Sequence, residues 1–310
     1  MTTQDDPESR PKLHPNELAI DSELVRRLLE HQFPEWLELP IRAVKSSGTV
    51  HAIYRLGDEL SVRLPRVAGD AEGIDKELTW VPKLAPLLPL EVQTPLVRGE
   101  PEEGYPAYWS VWRWVEGEVA TLDRIRDARA AAVTLGRFVA ALQRIDSTGG
   151  PAYGAHNGWR GGPLGKLDDS VRKALGQLDG KIDTAKATAA WEESLGAPNW
   201  HGPAVWVHGD LLGANLLERE GALAGVIDFG CLGVGDPGCD AGAAWMSLPA
   251  QVRDAFRSEL NMDDDAWIRG RGWALFVGLV GLPYYEHSNP VFAAFARRTI
   301  EAVLADFDPR

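Results

Sequence analysis

Hydrophobic and polar positions follow two different periods in the first third of the chain. Between residues 21 and 32 apolar residues recur every three or four positions, which predicts a short amphipathic helix capped by Asp21 or Ser22. The residues that follow carry short apolar and β-branched runs separated by glycine-containing turns, a pattern typical of an antiparallel meander. The predicted strands lie at 41–45, 50–56, 59–64, 94–98 and 108–115, with a helical pattern starting near Ala71.

The rest of the chain is mainly helical in pattern. The predicted helices lie at about 123–145, 164–178, 186–195, 251–259, 264–280 and 290–306, and strand-like runs interrupt them at 204–207, 214–218 and 223–227. A β-rich first third followed by a helical remainder predicts an α+β chain with two lobes. We therefore predict a flexible N-terminal arm at 1–20, an N-lobe with an antiparallel sheet at 21–115, and a mostly helical C-lobe at 116–310.

Composition and charge narrow the class of protein. The 310 residues are 45% hydrophobic and 25% charged, as in soluble globular proteins, and the formal net charge is −13. An acidic chain lacks the basic face that nucleic acid or an anionic membrane requires, so neither is an expected partner. The two cysteines, Cys231 and Cys239, suggest neither a disulfide framework nor a zinc site. We expect a cytoplasmic monomer or weak homodimer that acts on a small molecule.

The densest chemical signal is an Asp followed five residues later by an Asn, directly after a hydrophobic strand. Asp210 and Asn215 lie in the segment Val207–Leu217. If the loop turns back on itself, both side chains face one cavity. A carboxylate there can accept or orient a hydroxyl proton, while an amide oxygen can bind a hard cation.

A second acidic residue follows eighteen positions after Asp210. Asp228 ends a predicted strand and precedes Phe229 and Gly230. A hairpin of 214–218 and 223–227 would bring Asn215 and Asp228 to the same edge. Two protein oxygens, completed by phosphate oxygens and waters, suit Mg²⁺. Protein kinases carry the same parts for phosphoryl transfer. Each residue alone is more often structural, but their order and spacing together predict a kinase with Asp210 as its base.

These segments resemble the aminoglycoside phosphotransferase family. The resemblance rests on His208-Gly209-Asp210 with Asn215, on Ile227–Gly230, and on Gly235–Asp240. It implies a bilobal protein-kinase-like fold and a small-molecule kinase that uses ATP or GTP with Mg²⁺. In the last segment we expect Asp240 to serve as the N-cap of a following helix.

The resemblance also implies a nucleotide site in the N-lobe. Arg63, on the third strand, matches the family's basic phosphate-binding residue, and Arg66 is a nearby rival. A guanidinium can hold phosphate oxygens as a bidentate fork. Glu77, on the next helix, is the expected ion-pair partner of Arg63, although an ordinary surface glutamate would look the same in sequence.

Two further segments are expected to contact the nucleotide. Ser47 and Gly48 lie in a turn whose backbone N–H groups could reach the triphosphate, although a plain hairpin turn is the competing interpretation. Arg113 and Val115, in the hinge Trp112–Gly117, would pair with adenine through their backbone groups. No G-x-x-x-x-G-K-[ST] motif occurs, which excludes a P-loop NTPase.

The acceptor site is less clearly marked in the sequence. Asp264 lies at the start of a C-terminal helix, where family members use acidic residues to hold substrate ammonium groups, but capping and compensation of the helix dipole are the favoured interpretation. Tyr284 and Glu286 would suit a cation or a sugar. The loop His156–Gly161 is conspicuous and suggests only a lid or packing.

We expect a phosphotransferase that moves the γ-phosphate of ATP or GTP to a hydroxyl of a small molecule, with an aminoglycoside-like antibiotic as the first candidate. Alternative acceptors are a macrolide, choline, homoserine or a sugar. A nucleotide-binding pseudokinase scaffold is the alternative from another class, and it is disfavoured because Asp210, Asn215 and Asp228 are all present. A protein kinase is disfavoured by the His-Gly-Asp form and by the absence of an Ala-Pro-Glu segment.

Overall fold

The computed structural model describes residues 16–45, 48, 50–69 and 71–308. Its backbone contacts divide the chain into two compact units. The first unit comprises Met1–Ala85 and Val92–Glu116, and the second comprises Pro86–Glu91 and Gly117–Arg310. Of the predicted N-terminal arm, residues 1–15 lie outside the described part of the chain.

The first unit is built on a five-stranded sheet in which every neighbouring pair is antiparallel. In chain order the strands are β1 (Ile41–Ala43), β2 (His51–Leu56), β3 (Leu60–Pro65), β4 (Glu91–Val92, part of another sheet), β5 (Pro95–Gly99) and β6 (Trp109–Arg113). The order across this sheet is β1-β2-β3-β6-β5. Strand β2 buries every second residue, whereas β3 is buried continuously from Ser61 to Leu64. A continuously buried strand is expected in the middle of a sheet that is covered on both faces.

Two helices complete the first unit. Helix α1 (Ser22–Gln32) begins after Asp21, whose carboxylate accepts the backbone N–H of Leu24 at 2.7 Å, so the predicted cap is present. The apolar face of α1 joins the sheet in one hydrophobic core. Helix α2 (Glu72–Leu84) begins close to the predicted position and contains Pro82.

The second unit is mostly helical. Its helices are α3 (Ala128–Arg144), α4 (Asp168–Gln177), α5 (Thr184–Gly196), α6 (Gly238–Ala241), α7 (Ala243–Met246), α8 (Arg253–Glu259), α9 (Asp264–Tyr285) and α10 (Pro290–Asp306). Its strands are β7 (Glu118–Val119), β8 (Val205–Val207), β9 (Leu216–Arg219), β10 (Ala222–Val226) and β11 (Gly233–Gly235). Strands β9 and β10 form the predicted antiparallel hairpin at the centre of a sheet of order β4-β10-β9-β7, and β11 pairs with β8.

Helix α9 is the long central element of this unit. A Cβ on Gly270 would lie only 2.6 Å from the Cβ of Ala241, so glycine is required where α9 meets α6. This close approach fixes α6, which carries one of the residues of the site described below. Among the described residues, no helix is both long enough and apolar enough to cross a membrane.

The structure corrects several predicted boundaries. Helix α3 begins at Ala128 rather than near residue 123, because the carboxylate of Asp127 accepts the backbone N–H of Ala130 and caps it. Strand β9 begins at Leu216, since the three residues before it form a 3-10 turn. Strands β4, β7 and β11 were not predicted, because two or three residues are too few to show a period.

Candidate active site

The candidate catalytic loop leaves the end of β8 and turns sharply at Gly209. This glycine has a φ of +79°, a conformation that side chains rarely adopt. A Cβ at this position would lie 2.8 Å from the carbonyl oxygen of Cys231 and 2.8 Å from the Cβ of Arg160. Both the backbone conformation and the close packing therefore require glycine immediately before Asp210.

Asp210 and Asn215 are in direct contact at the two ends of this loop. The Asn215 side-chain amide donates to the backbone carbonyl of Asp210 at 2.9 Å and to its carboxylate at 2.9 Å. Both bonds use the amide nitrogen, so the amide oxygen of Asn215 is left as an acceptor for another group. The loop thus orients the carboxylate of Asp210 and presents an amide oxygen beside it.

Asp228 lies next to Asn215 across the end of the β9–β10 hairpin. Val226 faces Leu216 in the hairpin register, and the backbone N–H of Ile227 donates to the carbonyl of Asn215 at 2.9 Å. Asp228 itself has a φ of +65°, which is uncommon for a residue other than glycine. Such strained residues concentrate at functional sites. The structure therefore brings Asp210, Asn215 and Asp228 together.

The donor set fits a Mg²⁺ ion bound jointly with a nucleotide. The amide oxygen of Asn215 and the carboxylate of Asp228 are the hard oxygen ligands that Mg²⁺ prefers, and this ion usually keeps waters and phosphate oxygens in its shell. Among the described residues, no group of three or more His, Cys, Asp and Glu side chains could hold a metal. Two protein oxygens completed by phosphate oxygens and waters are an arrangement that Mg²⁺ accepts.

His208 connects the loop to the hairpin, a role that was missed from sequence although the residue stands in the motif. Its ring is fully buried. Its Nδ1 accepts the backbone N–H of Asp210 at 3.2 Å, and its Nε2 lies 3.2 Å from the carbonyl oxygen of Ile227. The neutral tautomer with a proton on Nε2 satisfies both contacts. Burial lowers the pKa of His208 to about 4, which keeps the ring neutral.

Asp240 holds the loop from the opposite side, and the prediction that it caps a helix is wrong. It lies within α6, whose N-cap is Pro237. Its buried carboxylate accepts the backbone N–H groups of His208 and Gly209, each at 2.8 Å. Burial raises the pKa of Asp240 to about 6, although the two N–H donors act in the opposite direction. The carboxylate is therefore directed at the catalytic loop and not at the start of a helix.

Asp236 anchors the same turn to α9. Both of its carboxylate oxygens bind the guanidinium of Arg269, at 2.6 Å and 3.0 Å, and both side chains are buried. Asp236 also accepts the backbone N–H of Gly238 at 2.9 Å. A two-point ion pair of this kind fixes both the distance and the angle between the elements it joins.

The electrostatic environment of Asp210 sets its acidity. Burial is the largest cause that raises the pKa of Asp210, to about 6, and the nearby charge of Asp228 acts in the same direction. The positive charge of Arg160 and the hydrogen bond from Asn215 lower it. A carboxylate whose pKa lies near neutral is a better proton acceptor than an ordinary exposed aspartate.

In the first unit, Arg63 has different partners from those predicted. Its guanidinium donates to the side-chain oxygen of Gln93 and lies over the ring of Trp112, 4.2 Å from the centroid. The described contacts of Arg63 are thus with Gln93 and Trp112, which differs from the predicted pairing with Glu77. The amide and the indole occupy the guanidinium instead, and both Arg63 and Glu77 are buried.

The other predicted nucleotide contacts lie on the same unit. Ser47 falls outside the described residues, whereas Gly48 is included. The backbone N–H of Arg113 donates to the carbonyl of Thr94 at 2.8 Å and is therefore already used. Val115 lies beyond the end of β6 and makes no backbone hydrogen bond with any other described residue. Val115 is thus the better candidate of the two for an adenine contact.

The predicted acceptor residues are not gathered in one place. Asp264 is in the first turn of α9 and pairs with Arg257. Tyr284 is near the other end of this helix and is 61% exposed, and Glu286 just beyond it pairs with Lys181 at 2.6 Å. The hydrogen bond from Lys181 lowers the pKa of Glu286. Twenty residues of helix separate the two ends by about 30 Å, so Asp264 and Tyr284 cannot line one small pocket.

Solved structures of antibiotic phosphotransferases share this fold. The GDP complex of wild-type aminoglycoside 2'-phosphotransferase-IIIa matches with a TM-score of 0.71 at 16% identity, covering 93% of this chain and 99% of that chain. The GDP and kanamycin complex of APH(2")-IIia gives 0.69 at 19% identity, with 92% and 99% covered. The apoenzyme of macrolide 2'-phosphotransferase MphH from Brachybacterium faecium gives 0.58 at 19% identity, with 93% and 99% covered. The predicted protein-kinase-like α+β fold is confirmed.

Sequence comparison supplies the family. No curated protein matches the chain. The phosphotransferase enzyme family, APH, matches residues 41–276, a span that includes both the five-stranded sheet and the candidate catalytic loop. Because this span is well over half of the 310 residues, the chain belongs to the phosphotransferase enzyme family.

Proposed function

We propose that this phosphotransferase moves the γ-phosphate of ATP or GTP to a hydroxyl of a small molecule. The observation that carries the proposal is the gathering of Asp210, Asn215 and Asp228 at the end of one hairpin. Phosphoryl transfer needs one carboxylate at the acceptor oxygen and hard oxygen ligands for the cation beside it. This site supplies both within a short stretch of chain.

The nucleotide is inferred from the solved relatives and from the donor set. Structures with the same fold hold GDP, ADP or ATP. Asn215 and Asp228 would hold Mg²⁺ against the phosphates, and the ion, when bound, neutralises charge on the phosphate oxygens. Arg63 is the proposed phosphate contact of the first unit, and Val115 is the proposed adenine contact.

In the proposed reaction Asp210 accepts the proton of the acceptor hydroxyl. The acceptor oxygen forms a bond to the γ-phosphorus while the bond from this phosphorus to the bridging oxygen breaks, and the nucleoside diphosphate leaves. Asn215 holds the Asp210 carboxylate in place through its hydrogen bond of 2.9 Å, so little rearrangement is needed during transfer. His208 and Asp240 fix the backbone of the loop from two sides.

An aminoglycoside-like antibiotic is the first candidate acceptor, because relatives with this fold were solved with kanamycin, gentamicin or streptomycin. The predicted ammonium ligands Asp264 and Glu286 already pair with Arg257 and Lys181. A polycationic acceptor would therefore have to displace the chain's own cations to reach them. This observation favours a second candidate with fewer ammonium groups, and a macrolide has structural precedent in this fold.

The experiment that tests the proposal is a survey of acceptors. Nucleotide consumption with Mg²⁺ is measured for ATP and GTP across aminoglycosides, macrolides, choline, homoserine and sugars. We expect turnover on one class, and loss of this turnover in both Asp210→Ala and Asp228→Asn. Asp254→Asn is the matched control, because this exposed carboxylate pairs with Arg129 and is not one of the predicted site residues.

Three outcomes would count against the proposal. Turnover that survives Asp210→Ala would remove Asp210 from its role as the base. Failure of the wild-type chain to bind any nucleotide would contradict the kinase function as a whole. Nucleotide binding without turnover on water or on any acceptor would instead support the pseudokinase scaffold.

A further inference from the structure

The loop from Tyr153 to Gly162 is held rigidly against the candidate catalytic site. The buried Asn157 closes it, since its side-chain oxygen accepts the backbone N–H of Gly154 at 3.0 Å and its amide donates to the carbonyl of Arg160 at 3.1 Å. The carbonyl of Gly161 accepts the backbone N–H of Asp236 at 2.8 Å. The loop is therefore tied both to itself and to the turn that carries Asp236.

The backbone of this loop is strained just before Arg160. Trp159 has a φ of +63°, a conformation that is unfavourable for a large residue and persists only where surrounding contacts impose it. Two nearby glycines also have positive φ values: Gly158, directly before Trp159, and Gly161, two residues after it. The strained Trp159 is directly followed by Arg160, which contacts the catalytic loop.

Arg160 reaches the residue immediately before Asp210. Its Nε donates to the carbonyl of Gly209 at 2.8 Å, and its Nη1 lies 3.4 Å from the carbonyl oxygen of Gly158. The guanidinium lies over two aromatic rings of α9, 5.1 Å from the centroid of Phe276 and 5.5 Å from that of Trp273. A rotamer held by these contacts loses little freedom on binding a ligand.

This guanidinium makes no direct ion pair, although its charge acts on the nearby carboxylates of Asp210 and Asp240. Within the described part of the chain Arg160 forms no ion pair, and its Nη2 makes no hydrogen bond. The buried Arg269, by contrast, has the two-point ion pair with Asp236. The Nη2 of the partly buried Arg160 guanidinium is therefore a charged donor that an anionic group can bind. Consistent with its position, Arg160 lowers the pKa of Asp210.

We propose that Arg160 forms an anion subsite beside Asp210 that binds the phosphoryl group while it is transferred. This inference rests on the proposed function. In the transfer, charge spreads over the three outer oxygens of the phosphoryl group, and a fixed guanidinium stabilises this charge. Arg160 neither gains nor loses a proton, since the hydroxyl proton goes to Asp210 and the bridging oxygen leaves with the diphosphate.

The test uses the full chain with MgATP and water as the acceptor, so that the natural acceptor need not be known. Arg160→Gln should lower kcat for ATP hydrolysis on the order of 10²-fold and leave KM for ATP within about threefold, because the subsite acts on the transferring group. Arg160→Lys should retain more activity than Arg160→Gln, since it keeps the charge and loses the fork. Added guanidinium ion should restore part of the rate of Arg160→Ala.

The Asn157→Ala variant separates the effect of the Arg160 charge from the effect of the loop that holds it. This change loosens the loop by removing the bonds to Gly154 and Arg160, but it leaves the guanidinium in the chain. We expect a smaller loss of kcat than in Arg160→Gln and no response to added guanidinium. Thermal unfolding of each variant shows whether the fold is retained.

Two results would overturn the subsite. One is an Arg160→Gln variant with wild-type kcat. The other is a loss of kcat that Asn157→Ala matches and that guanidinium does not reverse in Arg160→Ala, since Arg160 would then be only a tether. A wild-type chain that neither binds nor hydrolyses MgATP is a different result, because it contradicts the proposed function itself.

Discussion

The side-chain amide of Asn215 donates to the carboxylate of Asp210 at 2.9 Å. One residue thereby has two separable roles, because its nitrogen orients Asp210 while its oxygen is the proposed ligand for Mg²⁺. The two roles can be tested apart by an isosteric change that keeps the oxygen and removes the donor.

Asn215→Asp should lower kcat on the order of 10²-fold and leave the Mg²⁺ concentration for half-maximal activity unchanged or lower. The aspartate retains an oxygen for the cation, but it cannot donate to Asp210 and adds a second negative charge beside it. Magnesium titrations of the nucleotide-consumption rate measure both quantities. Asn215→Ala, which removes both roles, should raise the Mg²⁺ requirement as well. A kcat equal to that of the wild type in Asn215→Asp would show that orientation of Asp210 does not limit the rate.

Asp240→Asn should destabilise the protein by about 1–3 kcal/mol. The carboxylate accepts two backbone N–H groups through two oxygens, and an asparagine can accept only one of them. Its amide would face the other donor, so one buried N–H would lose its partner. Urea unfolding measures the difference, and Asp264→Asn is the exposed control, expected to change stability by less than about 0.5 kcal/mol. Equal stability of the two variants would contradict this account of Asp240.

Gly209→Ala should reduce both stability and activity. The new Cβ would lie 2.8 Å from the Cys231 carbonyl at a φ of +79°, so the chain must shift next to Asp210. We expect a loss of more than about 1 kcal/mol in the free energy of unfolding. The matched control is Gly176→Ala in α4, where nothing lies within 4 Å of the added Cβ. It should stabilise by about 0.4–1 kcal/mol. Calorimetry should therefore show lower stability for Gly209→Ala and higher stability for Gly176→Ala.

The activity should fall in acid as Asp210 becomes protonated. Burial raises the pKa of this carboxyl from 3.8 to about 6, and only the ionised form accepts a proton. kcat/KM should therefore be constant above about pH 7 and fall to half as the pH drops to about 6, rather than to about 3.8. Higher Mg²⁺ should move the decline to lower pH, because the cation favours the carboxylate. Phosphate also titrates near pH 6, so the pH dependence of nucleotide binding in Asp210→Asn serves as the control. If kcat/KM declined only at pH 4 and below, burial would not be raising the pKa of Asp210 as described.

Arg63→Lys should raise KM for ATP about tenfold with a smaller effect on kcat, because lysine replaces a stacked, forked group by a point charge. Arg66→Lys is the matched control three residues away. Arg66 already pairs with Glu17 at 3.5 Å, so we expect the KM of Arg66→Lys for ATP to remain within about twofold of wild type. Steady-state kinetics in ATP distinguish the two arginines, and a larger effect at Arg66 would reassign the phosphate contact.

The sequence predicted those parts of the site that local geometry determines. Asn215 and Asp228 flank a short hairpin, so pairing of its strands was enough to place them together. Family membership confirms that the chain is a phosphotransferase. The roles of Asp210, Asn215 and Asp228 remain predictions that the variants above will test.

The supporting contacts could not be predicted, because they join residues that are far apart in sequence. Arg160 bonds to Gly209 across 49 positions, and Asp240 bonds to it across 31. No period or spacing encodes such a contact. Arg63 shows the same difficulty, because the pattern of the next helix favours the charged Glu77 as its partner, whereas the guanidinium donates to the neutral side chain of Gln93. Burial of polar groups is decided by the packed interior as a whole.

The bond from Asp240 to the catalytic loop also has a consequence for synthesis of the protein. The ribosome makes His208 and Gly209 before Asp240, whose carboxylate will hold them. Helix α9 follows later still, and its contact with α6 fixes the position of Asp240. At 5–20 residues per second this interval amounts to a few seconds. Once Asp228 has been made, the nascent chain carries Asp210, Asn215 and Asp228 without the carboxylate of Asp240 that will hold their loop. We therefore expect the chain to become catalytically competent only when its C-terminal helices fold.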